Sequence, residues 1–171
     1  MNVFDFAMKM EEDGKAYYEK MAAQTELAGL RNIFERLAAD EQKHYDIFRD
    51  LKAGSKVPAM PATTVLDEAR NVFAELPKGE TVVQKVASDL AAYKHAMKLE
   101  AESFRLYEEA AAKESDPKVK ALLEKIAVEE HKHFEVLDNI YHFINAPNQY
   151  LAWGEFSNIG EFHQFGRDVD R

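Results

Sequence analysis

The sequence predicts an all-α protein: a four-helix bundle of two repeated helical hairpins, joined by a long crossover that carries a short extra helix. Three observations support this. Apolar residues recur at alternating steps of three and four through four long segments, the period of a helix with one buried face. Proline and glycine concentrate between those segments, where they break helices least expensively. The two halves of the chain also match at an offset of 89 residues, with no gap. LAADEQKHYDIF at 37–48 aligns with IAVEEHKHFEVL at 126–137, and MKMEEDGKAYYEKMAA at 8–23 with MKLEAESFRLYEEAAA at 97–112.

The first helix is expected from about Val3 to Gln24, with Asn2 and Asp5 as capping candidates, and the second from about Leu30 to Lys52. AGSKVPAMPATT at 53–64 opens the crossover. A short helix follows at about 65–76 and ends near Pro77 and Gly79. The third long segment covers about 81–114. The fourth runs to about Asn145 and starts at Pro117, behind Asp116. Asp at the N-cap with Pro at the first helical position is a good start signal. The joins inside each pair, at 25–29 and 113–116, are short and make antiparallel neighbours. The middle connection is long enough to cross from one end of a bundle to the other.

The 171 residues make one domain, assigned to 1–145, with 146–171 as an aromatic tail that packs on the bundle or on a partner subunit. There is no cysteine, so disulfides, thiolate metal sites and iron–sulfur clusters are excluded. A net charge of −9 disfavours nucleic-acid binding, which needs a basic face. No apolar run of about 18 residues exists to span a membrane, and the N-terminus lacks the basic and apolar regions of a signal peptide. Cytoplasm is the expected location.

Each core stripe is apolar except at its centre. The second helix reads Leu30, Phe34, Leu37, Glu41, His44, Phe48, Leu51, and the fourth Val119, Leu123, Ile126, Glu130, His133, Leu137, Ile140. The first gives Phe4, Ala7, Glu11, Gly14, Tyr18, Met21, and the third Tyr93, Ala96, Glu100, Ser103, Tyr107, Ala110. Four carboxylates would face one another in a low-dielectric core, and no Lys or Arg occupies the same central positions. Unpaired buried charges cost several kcal/mol each, so cations are expected. Two divalent ions balance four carboxylates, with His44 and His133 as neutral ligands. Residues three apart share a helix face, so each Glu-x-x-His can serve one ion. One Glu from each of two helices plus Glu-x-x-His from each of the other two is the ligand set of di-iron and di-manganese carboxylate bundles. Mixed carboxylate and imidazole donors suit iron or manganese, with zinc admitted as a substitute.

ExxGxxYY at 11–18 and ExxSxxLY at 100–107, each followed 30 residues on by ExxH, resemble the erythrin domain of the rubrerythrin-like ferritins over about residues 3–145. The resemblance implies a ferritin-like fold and a centre of two iron ions bridged by Glu41 and Glu130. Glu11 and Glu100 would be terminal carboxylates and His44 and His133 would serve one ion each. Tyr18 and Tyr107 would donate hydrogen bonds to carboxylates at the catalytic site. It further implies reduction of hydrogen peroxide, or oxidation of ferrous iron by oxygen or peroxide, and a homodimer. Two departures stand out. Rubrerythrins carry a Cys-rich rubredoxin domain, so here an external donor protein such as a rubredoxin or a reductase is expected. They also carry an extra carboxylate one turn after the third-helix glutamate, where this sequence has Ser103.

The leading expectation is therefore a non-haem di-iron oxidoreductase that reduces hydrogen peroxide or oxygen with electrons from an external donor. Ferroxidase activity in iron storage or detoxification uses the same site. A non-enzymatic helical scaffold, with a structural metal or none, is the alternative of a different class. For the six ligands the plainer reading is a buried ion-pair network without metal, and for Tyr18 and Tyr107 ordinary core aromatics. Gly14 either leaves room for an ion or substrate or relieves a close helix contact. His95, His131, His142 and His163 are read as surface or structural histidines.

Overall fold

A computed structural model of the chain describes residues 3–57, 59–75 and 90–145. Asn2, the start of the third long segment at 81–89, His163 and the aromatic tail at 146–171 lie outside the described residues. Those residues form α1 (Val3–Gln24), α2 (Ala28–Lys52), α3 (Val65–Glu75), α4 (Leu90–Lys113) and α5 (Pro117–Asn145), with no strand among them.

Local chemistry explains the ends. Asp116 Oδ1 accepts the backbone N–H of Lys118 at 2.8 Å and of Val119 at 3.4 Å. It is the side-chain N-cap of α5, with Pro117 at the position whose missing N–H costs nothing. At the end of α2 the chain turns at Gly54, whose φ of 74° is open to glycine at little cost. There Gly54 N–H donates to Leu51 at 3.0 Å and Ser55 N–H to Asp50 at 3.0 Å, using carbonyls the helix leaves free. Asp5, in the first turn of α1, pairs with Lys52 in the last turn of α2. That contact places the start of α1 beside the end of α2, as an antiparallel hairpin requires.

Helix α1 packs mainly on α2 and α4 mainly on α5. The short α3 of the crossover lies on α2 and α5 and buries Val65 and Ala69. The apolar interior falls into two clusters. One contains Tyr18, Leu30, Phe34, Leu37, Tyr93 and Leu137. The other contains Ala7, Phe48, Tyr107, Leu123 and Ile126. On every stripe the break between them falls at the glutamate and histidine positions, so a polar layer crosses the middle of the bundle. The described residues make an all-helical bundle of two hairpins with a short crossover helix.

Candidate metal centre

All six residues expected from the sequence lie in that central layer. Glu11, Glu41, His44, Glu100, Glu130 and His133 are each at least 96 % buried. They fall into two overlapping groups: Glu11, Glu41, His44 and Glu130, and Glu41, Glu100, Glu130 and His133. Within each group one donor atom per residue lies within 4.8 Å of every other. Glu41 and Glu130 belong to both, so they stand between two potential ion positions. The imidazoles stack at 5.9 Å between ring centroids.

The donor atoms crowd one another at close range. His44 Nδ1 lies 2.6 Å from Glu130 Oε1 and 3.5 Å from Glu11 Oε2. His133 Nδ1 lies 3.0 Å from Glu41 Oε1 and 3.6 Å from Glu100 Oε1. Yet Glu11 Oε2, Glu41 Oε1, His44 Nδ1, Glu130 Oε1 and His133 Nδ1 have no hydrogen-bond partner. Buried polar atoms are rarely left so, because each costs about 1–3 kcal/mol. Five of them converging on one space fit a metal centre, whose cations would satisfy all of them. The donors are oxygen and imidazole nitrogen only, which iron and manganese accept readily.

The protonation balance agrees. Burial, then the charges of Glu130, Glu11 and Glu100, push Glu41 well above the ordinary carboxylate range. Burial, then Glu11 and Glu100, push Glu130 up to about 8. Burial also acts upward on Glu11, but contacts with His44, Glu41 and Tyr107 outweigh it and hold it below its ordinary value. Burial acts downward on both histidines. Against it, Glu130 and Glu11 raise His44 well above its usual value, and Glu100 and Asp40 do the same for His133. With no metal bound, this layer gathers protons to offset its negative charge. Cations would take over that role.

Tyr18 donates its hydroxyl hydrogen bond to Glu100, and Tyr107 donates to Glu11. Each tyrosine thus fixes the glutamate of the other half. Burial and the neighbouring carboxylates, Glu100 for Tyr18 and Glu11 for Tyr107, raise both hydroxyls well above the usual tyrosine range, so they stay protonated donors. At Gly14 an added Cβ would sit 2.8 Å from Glu41 Oε2. The glycine therefore clears the carboxylate of Glu41 itself.

The structure adds an outer layer that the sequence reading passed over. His44 Nε2 lies 2.9 Å from Glu129 Oε2, and His133 Nε2 lies 3.2 Å from Asp40 Oδ2. Asp40 and Glu129 each precede a central glutamate, and each supports the histidine of the other half. A carboxylate on Nε2 holds the proton there and leaves Nδ1 free to face the centre. Burial acts upward on Asp40 and Glu129. It is outweighed by His133, Thr63 and Lys43 at Asp40, and by His44 and Lys43 at Glu129, so both stay ionised. Lys43 Nζ joins the two, 2.6 Å from Glu129 and 3.2 Å from Asp40. Thr63 of the crossover closes over them. Its N–H donates to Glu129 at 2.7 Å and its hydroxyl donates to Asp40. The available signal was the repeat itself, which pairs Asp40 with Glu129 just as it pairs Glu41 with Glu130.

Among the described residues, the other histidines make their contacts outside this layer. His131 meets Phe104, His95 meets Tyr17, and His142 lies 3.4 Å from Asp138. No helix among the described residues is long and apolar enough to cross a membrane. No curated protein and no solved structure gave a significant match to the chain. A family model described as Rubrerythrin matches residues 2–141, which takes in both hairpins and every residue of the central layer. The chain belongs to the rubrerythrin family.

Proposed function

We propose that the protein is a non-haem di-iron oxidoreductase that reduces hydrogen peroxide, or oxygen, with electrons from an external donor. The observation that carries this is the convergence of five buried donor atoms, none with a hydrogen-bond partner, in a layer rich in carboxylates. Family membership supports the same reading.

Glu11 and His44 would hold one ion, Glu100 and His133 the other, and Glu41 and Glu130 would serve both. When bound, the two ions supply Lewis acidity and one electron each. The chain supplies placement. The crossed Asp40–His133 and Glu129–His44 contacts set both imidazole rings, and the Tyr18 and Tyr107 hydroxyls pin Glu100 and Glu11. The apolar clusters border the layer above and below, and the burial of its side chains strengthens every charge interaction within it. No cysteine is present, so no rubredoxin-type centre within this sequence can return electrons. An external rubredoxin-like protein or reductase fills that role.

The test is metal content per chain, followed by anaerobic loading with ferrous iron and addition of one equivalent of hydrogen peroxide. About two irons per chain, oxidised together and then re-reduced repeatedly by a donor protein, is the expected result. Failure to bind iron after anaerobic loading would overturn the reading. Progressive retention of ferric mineral, without turnover by a donor, would assign the site to iron handling instead.

A further inference from the structure

The seam between α1 and α4 is lightly packed, because each helix packs chiefly on its hairpin partner. A cavity of about 320 Å³ opens along it. Glu41, Glu100 and Glu130 lie at its inner end, and Phe6, Met10, Leu99 and Leu106 form its walls. A second cavity of about 220 Å³ lies beside it toward the end of the bundle, among Phe4, Ala7, Phe48 and Leu123. Leu106 lines both. The two spaces thus form neighbouring compartments beside the same side chain.

This is too much room for hydrogen peroxide alone. A molecule the size of two waters fills roughly 60 Å³ at liquid packing. Pockets for organic ligands start at about 300 Å³ and are mostly apolar, with a few polar groups at one end. Charge narrows the class further. Asp13 and Glu102 are exposed at the cavity mouth, each paired with a lysine one turn away, and three carboxylates lie at the inner end, so the mouth carries little net charge and nothing in the cavity lining favours an anion. With the inner carboxylates engaged by metal cations, an organic cation finds no partner there and would lose hydration against the apolar walls. A neutral molecule with an apolar body and one small polar head fits both constraints.

We infer that the α1–α4 cavity is a binding site for organic hydroperoxides, the apolar group lying between Met10, Leu99 and Leu106 and the hydroperoxide head directed at Glu41 and Glu130. This rests on the peroxide-reducing function proposed above and names a substrate class for it. The reaction balances as ROOH plus two protons and two electrons giving ROH and water. The O–O bond breaks, and the electrons come from the reduced metal pair, restored by the external donor.

Binding is tested first on the metal-free full-length chain, by saturation-transfer NMR with 2-phenylpropan-2-ol, the alcohol formed from cumene hydroperoxide. Transfer is expected for the parent protein and for Leu106→Met, and at least fivefold less for Leu106→Trp, which fills the junction of the two cavities. Met10→Trp closes the same space from the facing helix and must behave alike. Ferrous-loaded protein is then mixed with cumene hydroperoxide or with hydrogen peroxide. The ratio of the two oxidation rates should fall tenfold or more in both tryptophan variants. Absence of transfer to the parent protein, or a rate ratio that neither tryptophan changes, overturns the inference. Failure of hydrogen peroxide itself to oxidise the parent protein defeats the underlying function instead, and the NMR result still decides what the cavity binds.

Discussion

The two hairpins carry the same central glutamates, histidines and tyrosines and differ around them. Glu11, Tyr18, Glu41 and His44 have counterparts in Glu100, Tyr107, Glu130 and His133. The pairing is structural as well as formal, since each tyrosine and each outer carboxylate reaches across to the other half. The differences lie one step outward. Asp40 stands opposite the longer Glu129, and Gly14 opposite Ser103. Lys43 bridges both outer carboxylates, whereas its counterpart Lys132 acts on Glu135. On the di-metal reading, two ions with equivalent inner donors would be held with unequal firmness, and the asymmetry would come from residues outside the inner donor set.

The sharpest break of the internal symmetry should come from the residues shared by both groups. Glu130→Gln removes a donor from both ions, so ferrous iron binding should fall at both positions together. Glu11→Gln and Glu100→Gln should each weaken one. The loss in Glu130→Gln should exceed the roughly 10–100-fold typical of a lost outer partner. The metal-free protein should respond with the opposite sign. Replacing a buried, poorly compensated carboxyl relieves strain, so its thermal midpoint should rise by a few degrees, about 2–4 °C for each kcal/mol in a protein of this size. Iron titration and thermal unfolding of the same samples check both signs. A metal-free Glu130→Gln protein less stable than the parent would mean that the carboxyl is well satisfied without metal.

The second effect is on pH. Glu41, Glu130, His44 and His133 bind protons more tightly folded than unfolded. Groups with raised values contribute stability that is fully present below their unfolded values and is lost as pH rises through the folded ones. For Glu130 that window runs from its ordinary 4.5 to about 8. Glu11, Asp40 and Glu129 are lowered, so their contributions are complete above the ordinary carboxylate range and do not change within the window. The metal-free midpoint should therefore fall between about pH 5 and about pH 8, while metal-loaded protein, whose cations replace those protons, should not follow it.

The outer layer should show the inequality of the halves directly. Glu129→Gln should weaken the ion served by His44, and Asp40→Asn the ion served by His133, each by roughly 10–100-fold. Lys43→Met should weaken both, and Lys132→Met neither. Two-site iron titrations of the four variants distinguish them. Equal effects of the two lysines would remove the asymmetry argued from Lys43.

Much of this was legible in the sequence because helical periodicity is strict. A charged residue at the centre of an apolar stripe has no innocent place to go, and the repeat made Glu11, Glu41, His44 and their counterparts visible as a set. The start of α5 at Pro117 was legible for the same local reason, an aspartate and a proline in capping register. The outer layer was harder. Asp40 and Glu129 sit one residue before the central glutamates, about 100° around the helix, where acidic residues are usually solvated. Nothing in the spacing told Lys43 from Lys132, or linked Thr63 to either carboxylate, because those contacts depend on how the crossover lies across α2 and α5. The cavity along α1 and α4 was invisible for a related reason: Phe6, Met10, Leu99 and Leu106 lie beside the core stripes, and only the packing of two hairpins shows that a gap remains between them.

The smallest expected effect separates Gly14 from Ser103. A glycine inside a helix costs about 1 kcal/mol relative to alanine, so Gly14→Ala gains helix stability. The same methyl would stand 2.8 Å from Glu41 Oε2, closer than real Cβ contacts permit, and Glu41 must move. That movement falls on a residue shared by both ion positions. Gly14→Ala should therefore shift the denaturation midpoint by less than about 1 kcal/mol while weakening iron binding several-fold at both positions. Ser103→Ala adds no atom and should change neither. Chemical denaturation of metal-free protein and iron titration separate the two quantities. If Gly14→Ala binds iron as the parent does, the glycine was serving the helix seam and not the carboxylate.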